Sequence, residues 1–436
     1  QDFQMQVDIN YAKGNLTLNL DDRYNVTVIA KNPMPVLTDP KAAIIEAINN
    51  PVGGGVLDDL AGPGKTACIL ICDITRPVPN GLFLPILIKR LMDQGVTASD
   101  ITVLVATGLH RPNEGAELEE LVGSEWVMNT VNIVNHFARD DATHTDLGKT
   151  ETRGTSVLID SRFVDADIKI ATGLVEPHFM AGYSGGRKVI APGVAHADTI
   201  TTFHNAEFME NPNAINCNLI GNPLHEEQLE IVKMVGGALA LNTVIDEHRQ
   251  LSMVTFGEII ESHAQAVNFV KSYTEVTVPQ LFKTVVTSTA GYPLDKTYYQ
   301  TVKGMVGAMD ILEPGGNLII ASACDEGMGS DEFVESQKRL ISLGPDGFLE
   351  EIQKKSRADI DEWQTEMQLK PMRIGTIHLY TDGLSDEELV LTGVNIVTSV
   401  EDAIAQSVQQ SGDNRIAVIP EGPYVIPSYR AEAKAG

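Results

Sequence analysis

The chain has 436 residues, of which 43% are hydrophobic and 21% charged, as is usual for a globular protein. At about 150 residues per domain, this length predicts two or three domains. The formal net charge of −27 argues against a nucleic-acid-binding protein, which would present a basic surface. An anionic ligand would therefore need a local basic pocket within an acidic protein.

Cysteine usage and hydropathy argue against a secreted or membrane protein. The cysteines form no C-x-x-C pair, so neither a zinc ribbon nor a disulfide scaffold is indicated. No apolar run reaches the ~20 residues of a membrane helix, and the first residues lack a secretory pattern. We expect a cytoplasmic protein that binds neither membranes nor nucleic acids.

The first half of the chain alternates apolar strands with helices. Near-continuous apolar strands joined by helices are typical of parallel sheets. In such sheets, functional residues gather in the loops beyond the carboxyl ends of the strands, where Asp73, His110 and His178 are expected. In chain order we predict a strand within 66–77, a helix over 82–95, and strands within 100–112 and 166–178.

A second α/β block begins near residue 270. We predict two α/β domains with mostly parallel sheets, an N-terminal domain over 1–270 and a C-terminal domain over 271–436, with about 400–436 able to pack back on the first. The cleft between them is the natural ligand site. The charged run 350–368 predicts a solvated helix face. Strands and helices of the second block are expected within 283–324, 371–383, 393–408 and 414–427.

Two of the strand-end turns carry candidate functional groups. In "CDITRP", Asp73 and Thr75 offer acceptors for sugar hydroxyls, and Arg76 offers a guanidinium for a carboxylate or phosphate. A plain turn with a local Asp–Arg pair would explain the same residues. In "ATGLHRP", His110 titrates in the range that suits proton transfer near neutral pH. A lone histidine is, however, more often a structural polar residue.

The segment "EPHFMAGYSGGRKVIAPG" (176–193) holds the densest set of chemical groups. Its glycines let the main chain approach a ligand closely, and 184–186 is a candidate backbone nest for an anion. Lys188 offers a point charge or, when desolvated, a nucleophilic amine. A solvated surface turn is the competing interpretation, but the coincidence of these features within one loop favours a site.

Two further motifs carry candidate ligands. His204 in "FHN" is a candidate single metal ligand, with the other ligands supplied from elsewhere. In "YYQTVKG", Gln300 and Lys303 are three residues apart and share a helix face that suits a carboxylate. An ordinary polar helix surface is the alternative. The "GKT" within "AGPGKTACILI" lacks the first glycine of a phosphate-binding loop and precedes its strand, so we interpret it as a turn.

Taken together, "DITR", "TGLHR", "EPHFMAGYSGGRK", "FHN" and "YYQTVK" resemble the motif set of the nickel-pincer lactate racemases and their 2-hydroxyacid racemase relatives. The resemblance lies in motif order and spacing from about 73 to 303, and the rest of the chain matches in size and two-domain layout. It implies a racemase or epimerase of 2-hydroxy acids that works by reversible hydride transfer through a 2-keto acid.

The resemblance also implies roles for individual residues. Lys188 would carry, through a thioamide, pyridinium-3-thioamide-5-thiocarboxylic acid mononucleotide, and His204 would complete the coordination of nickel. His110 and His178 would be the two general acid/bases. The substrate would be held by Arg76, Tyr299, Gln300 and Lys303, and the ribose or phosphate of the cofactor by Asp73, Thr75, Ser184, Gly185 and Gly186. Cofactor-biosynthesis and nickel-insertion proteins would be partners.

Two other functions compete with this one. A zinc-type hydrolase would use His110, His178 and His204 as three protein ligands, with water in the open position. A non-catalytic carrier would hold the cofactor without turnover. The identity of the substrate stays open among lactate, malate, other short or aromatic 2-hydroxy acids and sugar acids.

Overall fold

The computed structural model describes residues 5–431. The strands are β1 Met5–Tyr11, β2 Gly14–Leu20, β3 Asn25–Val28, β4 Ala67–Cys72, β5 Ile101–Ala106, β6 Asn132–Asn135, β7 His144–Lys149, β8 Ser156–Asp160, β9 Ile168–Leu174, β10 Pro177–His178, β11 Gly182–Tyr183, β12 Leu239–Ile245, β13 Leu251–Glu258, β14 Glu275–Val278, β15 Phe282–Ser288, β16 Leu312–Ala321, β17 Thr376–Tyr380, β18 Asn395–Ile396, β19 Arg415–Ile419 and β20 Ile426–Tyr429. The helices are α1 Pro40–Asn49, α2 Leu57–Leu60, α3 Asn80–Asp93, α4 Ala116–Val122, α5 Glu125–Thr130, α6 Ser161–Val164, α7 Arg187–Ile190, α8 Ala197–Thr202, α9 Ala206–Met209, α10 Pro223–Met234, α11 Ile259–Thr274, α12 Tyr298–Ala308, α13 Asp331–Gln353, α14 Glu362–Met372, α15 Asp386–Leu391 and α16 Val400–Ser411.

The first sheet has the strand order β13-β12-β9-β4-β5-β6 and is parallel apart from the antiparallel β12–β13 pair. Every residue of β4 is buried, because both faces of the sheet are covered. Ile69 and Ile71 pack with α3 on one face, while Leu70 faces the other side of the sheet. The parallel strands β4, β5 and β9 therefore bring their carboxyl ends to one edge.

The second sheet has the order β18-β17-β16-β15-β19-β3 and is parallel throughout. Its edge strand β3 comes from the beginning of the chain, and β1 and β2 pack on the same core. The second sheet therefore takes in β3, while β1 and β2 form a separate antiparallel pair that packs on it, so residues 5–28 lie with the second domain and outside the predicted range 271–436. The pairing of β3 with β19 joins segments almost 390 residues apart, and a four-residue strand carries no local signal of so distant a partner.

The end of the chain also belongs mainly to the second domain. Helix α16 packs on β15 and β16, and β19 lies inside the second sheet. The turn Gly422–Tyr424 reaches back to β10 of the first domain. The fold class, α/β with two mostly parallel sheets, is confirmed. No helix between residues 5 and 431 is long and apolar enough to cross a membrane.

The prediction of a solvated helix face over the charged run 350–368 is wrong for the second half of the run, whereas most of residues 350–359 are exposed. Most of α14 is buried, including Trp363 and Met367. The carboxylate of Glu362 is paired inside the protein, where it accepts hydrogen bonds from Arg339 over 2.8 Å and from Lys355 over 2.7 Å. Because Arg339 lies on α13, outside the run, the charged residues of the run by themselves predict a surface where the structure has an interior.

Helices α12 and α14 join the two domains. Val302 and Val306 of α12 and Trp363 of α14 belong to the same apolar cluster as Phe179 and Phe208 of the first domain. This shared core places the carboxyl edge of the first sheet against the two helices, and the candidate site lies between them.

Candidate active site

Most of the predicted site residues line one cavity between the domains, which we name the central cavity. Its volume is about 110 Å³. A neighbouring cavity of about 430 Å³ shares part of its wall. Ser184, Gly186 and Gln300 do not line the central cavity. The predicted residues that do are Asp73, Thr75, Arg76, His110, His178, Gly185, Lys188, His204, Tyr299 and Lys303.

Asp73 and His110 meet where the neighbouring strands β4 and β5 end. His110 donates its Nδ1–H to Asp73 Oδ2 over 2.6 Å, and Asp73 Oδ1 accepts from the hydroxyl of Thr75 over 2.6 Å. Burial alone would raise the pKa of Asp73, but His110 and Thr75 outweigh it and lower that pKa to about 2. A ring with its proton on Nδ1 keeps a lone pair on Nε2. His110 is therefore arranged as a base whose charged form the carboxylate stabilises.

The hydrogen bonds of His178 place its proton on the other ring nitrogen. Its Nδ1 accepts hydrogen bonds from the backbone amides of Met180 over 3.3 Å and Ala181 over 3.1 Å. Burial is the largest cause that lowers the pKa of His178 well below its usual value, so the ring is neutral. Because Nδ1 is an acceptor, the proton lies on Nε2. His178 thus offers an N–H where His110 offers a lone pair.

The glycine-rich loop is shaped from behind as well as from the cavity. The Ser184 hydroxyl donates to a carbonyl of β9 over 2.9 Å and accepts from the amide of Glu176 over 3.1 Å. Gly186 has φ of 53°, and a Cβ there would lie 2.8 Å from His263 Cδ2, so a side chain is excluded. Gly185 lines the central cavity. Ser184 and Gly186 therefore determine the backbone path of the loop and do not line the central cavity.

Arg187 holds the same loop from inside the protein. Only 1% of the residue is exposed, and burial lowers its pKa to about 9. Its guanidinium donates to the carbonyls of Ala181 over 2.8 Å, Tyr183 over 2.7 Å and Gly185 over 3.0 Å, and to His225 Nδ1 over 2.9 Å. These four bonds fix the backbone of the glycine-rich loop, of which Gly185 lines the central cavity.

Lys188 and His204 face the central cavity, and burial disfavours the charged form of each. Burial, followed by the nearby cations Arg76 and Lys303, lowers the pKa of Lys188 well below its usual value. A free amine is the nucleophilic form of lysine. His204 donates its Nδ1–H to the carbonyl of Ile200 over 2.7 Å, and burial lowers its pKa to about 3. Its Nε2 lone pair is therefore free to bind a metal.

The second domain closes the central cavity with side chains from α12 and α14. The Trp363 ring lies on His204, with 4.7 Å between the ring centroids, and its Nε1–H donates to the Tyr299 hydroxyl over 3.2 Å. Burial, and then Arg76, lower the pKa of Lys303 to about 7. Gln300 lines the neighbouring cavity instead, so the predicted shared face of α12 is divided between the two cavities.

Arg76 is paired with a carboxylate that the sequence analysis assigned no role. Its Nη1 donates to Glu176 Oε1, and both side chains are largely buried, with 17% and 13% exposed. Glu176 and Lys303 line a third, small cavity that also contains Arg76. The proposed anchor for a substrate carboxylate is therefore an ion-paired set rather than two free cations.

The described part of the chain contains no group of three or more His, Cys, Asp or Glu side chains arranged to hold a metal. His110, His178 and His204 line the same cavity, but within the described residues the three rings are not arranged as a ligand set. This arrangement gives no support to the three-histidine zinc hydrolase.

Family models give the affiliation of the chain. The N-terminal domain of lactate racemase matches residues 11–216, and its C-terminal domain matches residues 279–426. These matches cover more than half of the chain. The chain belongs to the lactate racemase family. It is accordingly an enzyme of the isomerase class.

Individual relatives agree with this family. A lactate racemase from Thermoanaerobacterium thermosaccharolyticum is 32% identical over 426 residues, covering 96% of this chain and 98% of the relative. One from Lactiplantibacillus plantarum is 29% identical over 429 residues, covering 96% and 99%. The structure of the T. thermosaccharolyticum lactate racemase apoprotein has a TM-score of 0.86 at 30% identity, covering 97% of this chain and 100% of that one. A Thermotoga maritima protein with a TM-score of 0.68 at 16% identity shares the fold.

Within this lactate racemase family member, four residues of the site were missed by sequence reasoning. Glu176 and Arg187 lie inside the quoted motif, beside His178 and Lys188, and their position was a usable signal. Trp363 is one of two tryptophans in the chain and stands in a charged run, which is itself unusual. Asp361, two residues before Trp363, has φ of 63°, in the left-handed region, and lines both the central cavity and the neighbouring cavity. No local pattern indicates that backbone conformation.

Proposed function

We propose that this chain racemises lactate or a closely related 2-hydroxy acid, using nickel and the pyridinium-derived pincer mononucleotide attached to Lys188. One observation carries the proposal: the buried amine of Lys188 and the free Nε2 of His204 face the same cavity as two histidines of opposite tautomer. The names of the relatives support lactate as the substrate.

The residues fit the proposed cofactor. A covalent thioamide needs an uncharged lysine amine, and burial at position 188 lowers the pKa of the lysine and so favours that form. His204 offers a single imidazole ligand, so the metal's remaining donors would come from the sulfurs of the nucleotide, which suit nickel. Thr75 and Gly185 line the cavity and would contact the ribose or phosphate. When bound, this group supplies the acceptor and donor for the substrate's α-hydrogen as a hydride.

Arg76 and Lys303 would hold the substrate's carboxylate and keep its α-carbon in one place. His110 then takes the proton of the substrate hydroxyl at Nε2. Asp73 accepts the Nδ1–H of His110 and stabilises the resulting imidazolium. Such proton transfer typically contributes ~10²–10⁴-fold to the rate. The product of the proton and hydride removal is a planar 2-keto acid, whose carbonyl turns while the carboxylate stays bound.

His178 would serve the opposite hand of the substrate. Its Nε2–H donates a hydrogen bond to the oxygen of the keto acid or hydroxy acid. To act as a base, it must move its proton to Nδ1, which faces the amides of Met180 and Ala181. The two histidines therefore differ in which ring nitrogen carries the proton, and so in how readily each can act as a base. Trp363 and Phe179, both buried, exclude water from the reacting groups.

We further propose that separate proteins synthesise the nucleotide and insert its nickel before the enzyme is active. Two observations support this proposal. Lys188 offers an amine for attachment but no group that would build the nucleotide. The described residues contain no cluster of three or more protein ligands that would bind nickel without the nucleotide. Protein produced without those partners would carry no covalent adduct and would be inactive.

The test compares intact mass, nickel content and chiral product analysis for protein made with the cofactor pathway. Wild type is expected to carry one adduct on Lys188, one nickel and racemase activity. Lys188→Ala should lose all three, while His110→Ala and His178→Ala should keep the adduct and lose racemisation. Lys338→Ala, on an exposed part of α13, is the control and should behave as wild type. Wild type without adduct or nickel under these conditions would overturn the proposal.

A further inference from the structure

Glu176 adds a third charge to the carboxylate anchor. Arg76 and Lys303 reach the central cavity from the two domains, and Glu176 forms an ion pair with Arg76. The three side chains also line the small third cavity, whose volume is about 20 Å³, roughly one water molecule. Any carboxylate bound by the two cations therefore lies close to the carboxylate of Glu176.

Glu176 is held in place by the backbone of the glycine-rich loop. Its amide donates to the Ser184 hydroxyl over 3.1 Å, and its carbonyl accepts from the Ser184 amide over 2.9 Å. These bonds fix the backbone at Glu176, and the ion pair with Arg76 holds its side chain at the anchor. Burial raises the pKa of Glu176, and the positive charges of Arg76 and Lys303 oppose that shift and favour the carboxylate.

The charges at the anchor match one carboxylate. Below the pKa of Lys303, which is lowered to about 7, Arg76 and Lys303 bring two positive charges and Glu176 one negative charge, which leaves one positive charge. Other nearby charges are already used: Asp73 accepts from His110 over 2.6 Å, and Lys31 lies 3.7 Å from Glu421. The remaining residues around the small cavity are neutral: Pro177, His178, Phe179, Asn216, Leu294, Pro423 and Tyr424.

We propose that Glu176 is a specificity-determining residue that restricts the enzyme to monocarboxylic 2-hydroxy acids and rejects dicarboxylic ones such as malate. A second carboxylate in the central cavity would find no further cation, because Arg76 and Lys303 already hold the first carboxylate beside Glu176 and the remaining lysine, Lys188, would carry the cofactor. An unpaired buried charge is strongly unfavourable. This inference rests on the proposed function, since it names the substrate class of the same site.

The test measures kcat and KM of the loaded enzyme for lactate and malate by chiral product analysis. Wild type should prefer lactate by at least roughly a hundredfold in kcat/KM. Glu176→Gln keeps the size of the side chain and removes its charge, so the preference should fall at least tenfold, mainly through the KM for malate. Glu176→Asp keeps the charge and should retain the preference. Glu335→Gln, an exposed carboxylate on α13, makes the same charge change far from the site and should have no effect.

Two results would overturn the inference while leaving the proposed function intact: wild type that turns over malate as well as lactate, or a Glu176→Gln preference within threefold of wild type. If loaded wild type racemises neither acid, the proposed function fails. Calorimetry of lactate and malate binding to the same protein then tests the charge argument separately. Equal affinities for the two acids would refute it, and malate binding gained only in Glu176→Gln would support it.

Discussion

Asp73→Asn tests the arrangement of the general base. In the native site, the carboxylate accepts the Nδ1–H of His110 over 2.6 Å and is itself only 7% exposed. An asparagine has nearly the same shape, and its amide group can donate to Nδ1. The His110 proton would then move to Nε2. The substitution therefore removes the lone pair that takes the hydroxyl proton, with little change in packing.

The expected loss follows from two contributions. A hydrogen bond to a charged group is worth about 1.5–3 kcal/mol, which corresponds to roughly 10–150-fold in rate at about 1.4 kcal/mol per decade. The change of tautomer removes the base itself, and general base catalysis contributes ~10²–10⁴-fold. We therefore expect kcat of Asp73→Asn to fall by roughly 10²–10⁴-fold. KM should change little, because Asp73 does not hold the substrate carboxylate.

Initial rates of racemisation, followed by chiral chromatography, measure this loss. Intact mass and nickel content must show that the variant is loaded as fully as wild type, and thermal melting must show that it is folded. Thr75→Val is the matched comparison, because it removes the other side-chain donor to Asp73, at 2.6 Å, but leaves the carboxylate. Its kcat should fall less than about tenfold. A loaded Asp73→Asn enzyme with kcat within threefold of wild type would refute the assignment of His110 as a base oriented by Asp73.

The other predictions concern the remaining walls of the central cavity. Since the pKa of Lys303 is lowered to about 7, its charge is lost above that pH, so KM should rise between pH 6 and 9 and Lys303→Arg should flatten the rise. Because His178 holds its proton on Nε2, kcat should differ between the two enantiomers, while kcat/KM stays equal because they have the same free energy; equal kcat values would count against the tautomer assignment. Trp363→Ala should destabilise the protein by about 3–5 kcal/mol and weaken nickel retention at His204, whereas Trp363→Phe should retain most of both in denaturation and metal analysis. Arg187→Met leaves three loop carbonyls without their donor, so chemical denaturation should show a loss of at least about 3 kcal/mol; an unchanged midpoint would contradict its anchoring role.

Much of the first domain could be predicted from local patterns. The apolar run of β4 predicts a strand covered on both faces, and the polar residues that follow it predict a loop at the carboxyl edge of a parallel sheet. The same reasoning applies to β5 and β9, so Asp73, His110 and His178 were expected to lie close together. Each of these inferences needs only the few residues on either side.

Other features could not be predicted because they depend on distant segments. The pairing of β3 with β19 places the beginning of the chain in the second sheet. The burial of α14 depends on partners such as Arg339, which neutralise its charges in the folded protein. A charged run is usually exposed because a charge is costly to bury alone, and the sequence does not show which charges are paired.

By itself, the sequence determined which chemical groups stand at the ends of strands and in which order the motifs occur, because side-chain identity and local periodicity are properties of short segments. Tertiary structure decided the tautomers, the pKa values and the pairing of those groups. It set the opposite tautomers of His110 and His178, the burial that lowers the pKa of Lys188 and the carboxylate that Glu176 adds beside Arg76. Those properties arise from burial and from hydrogen bonds between segments far apart in the chain, so they exist only after folding.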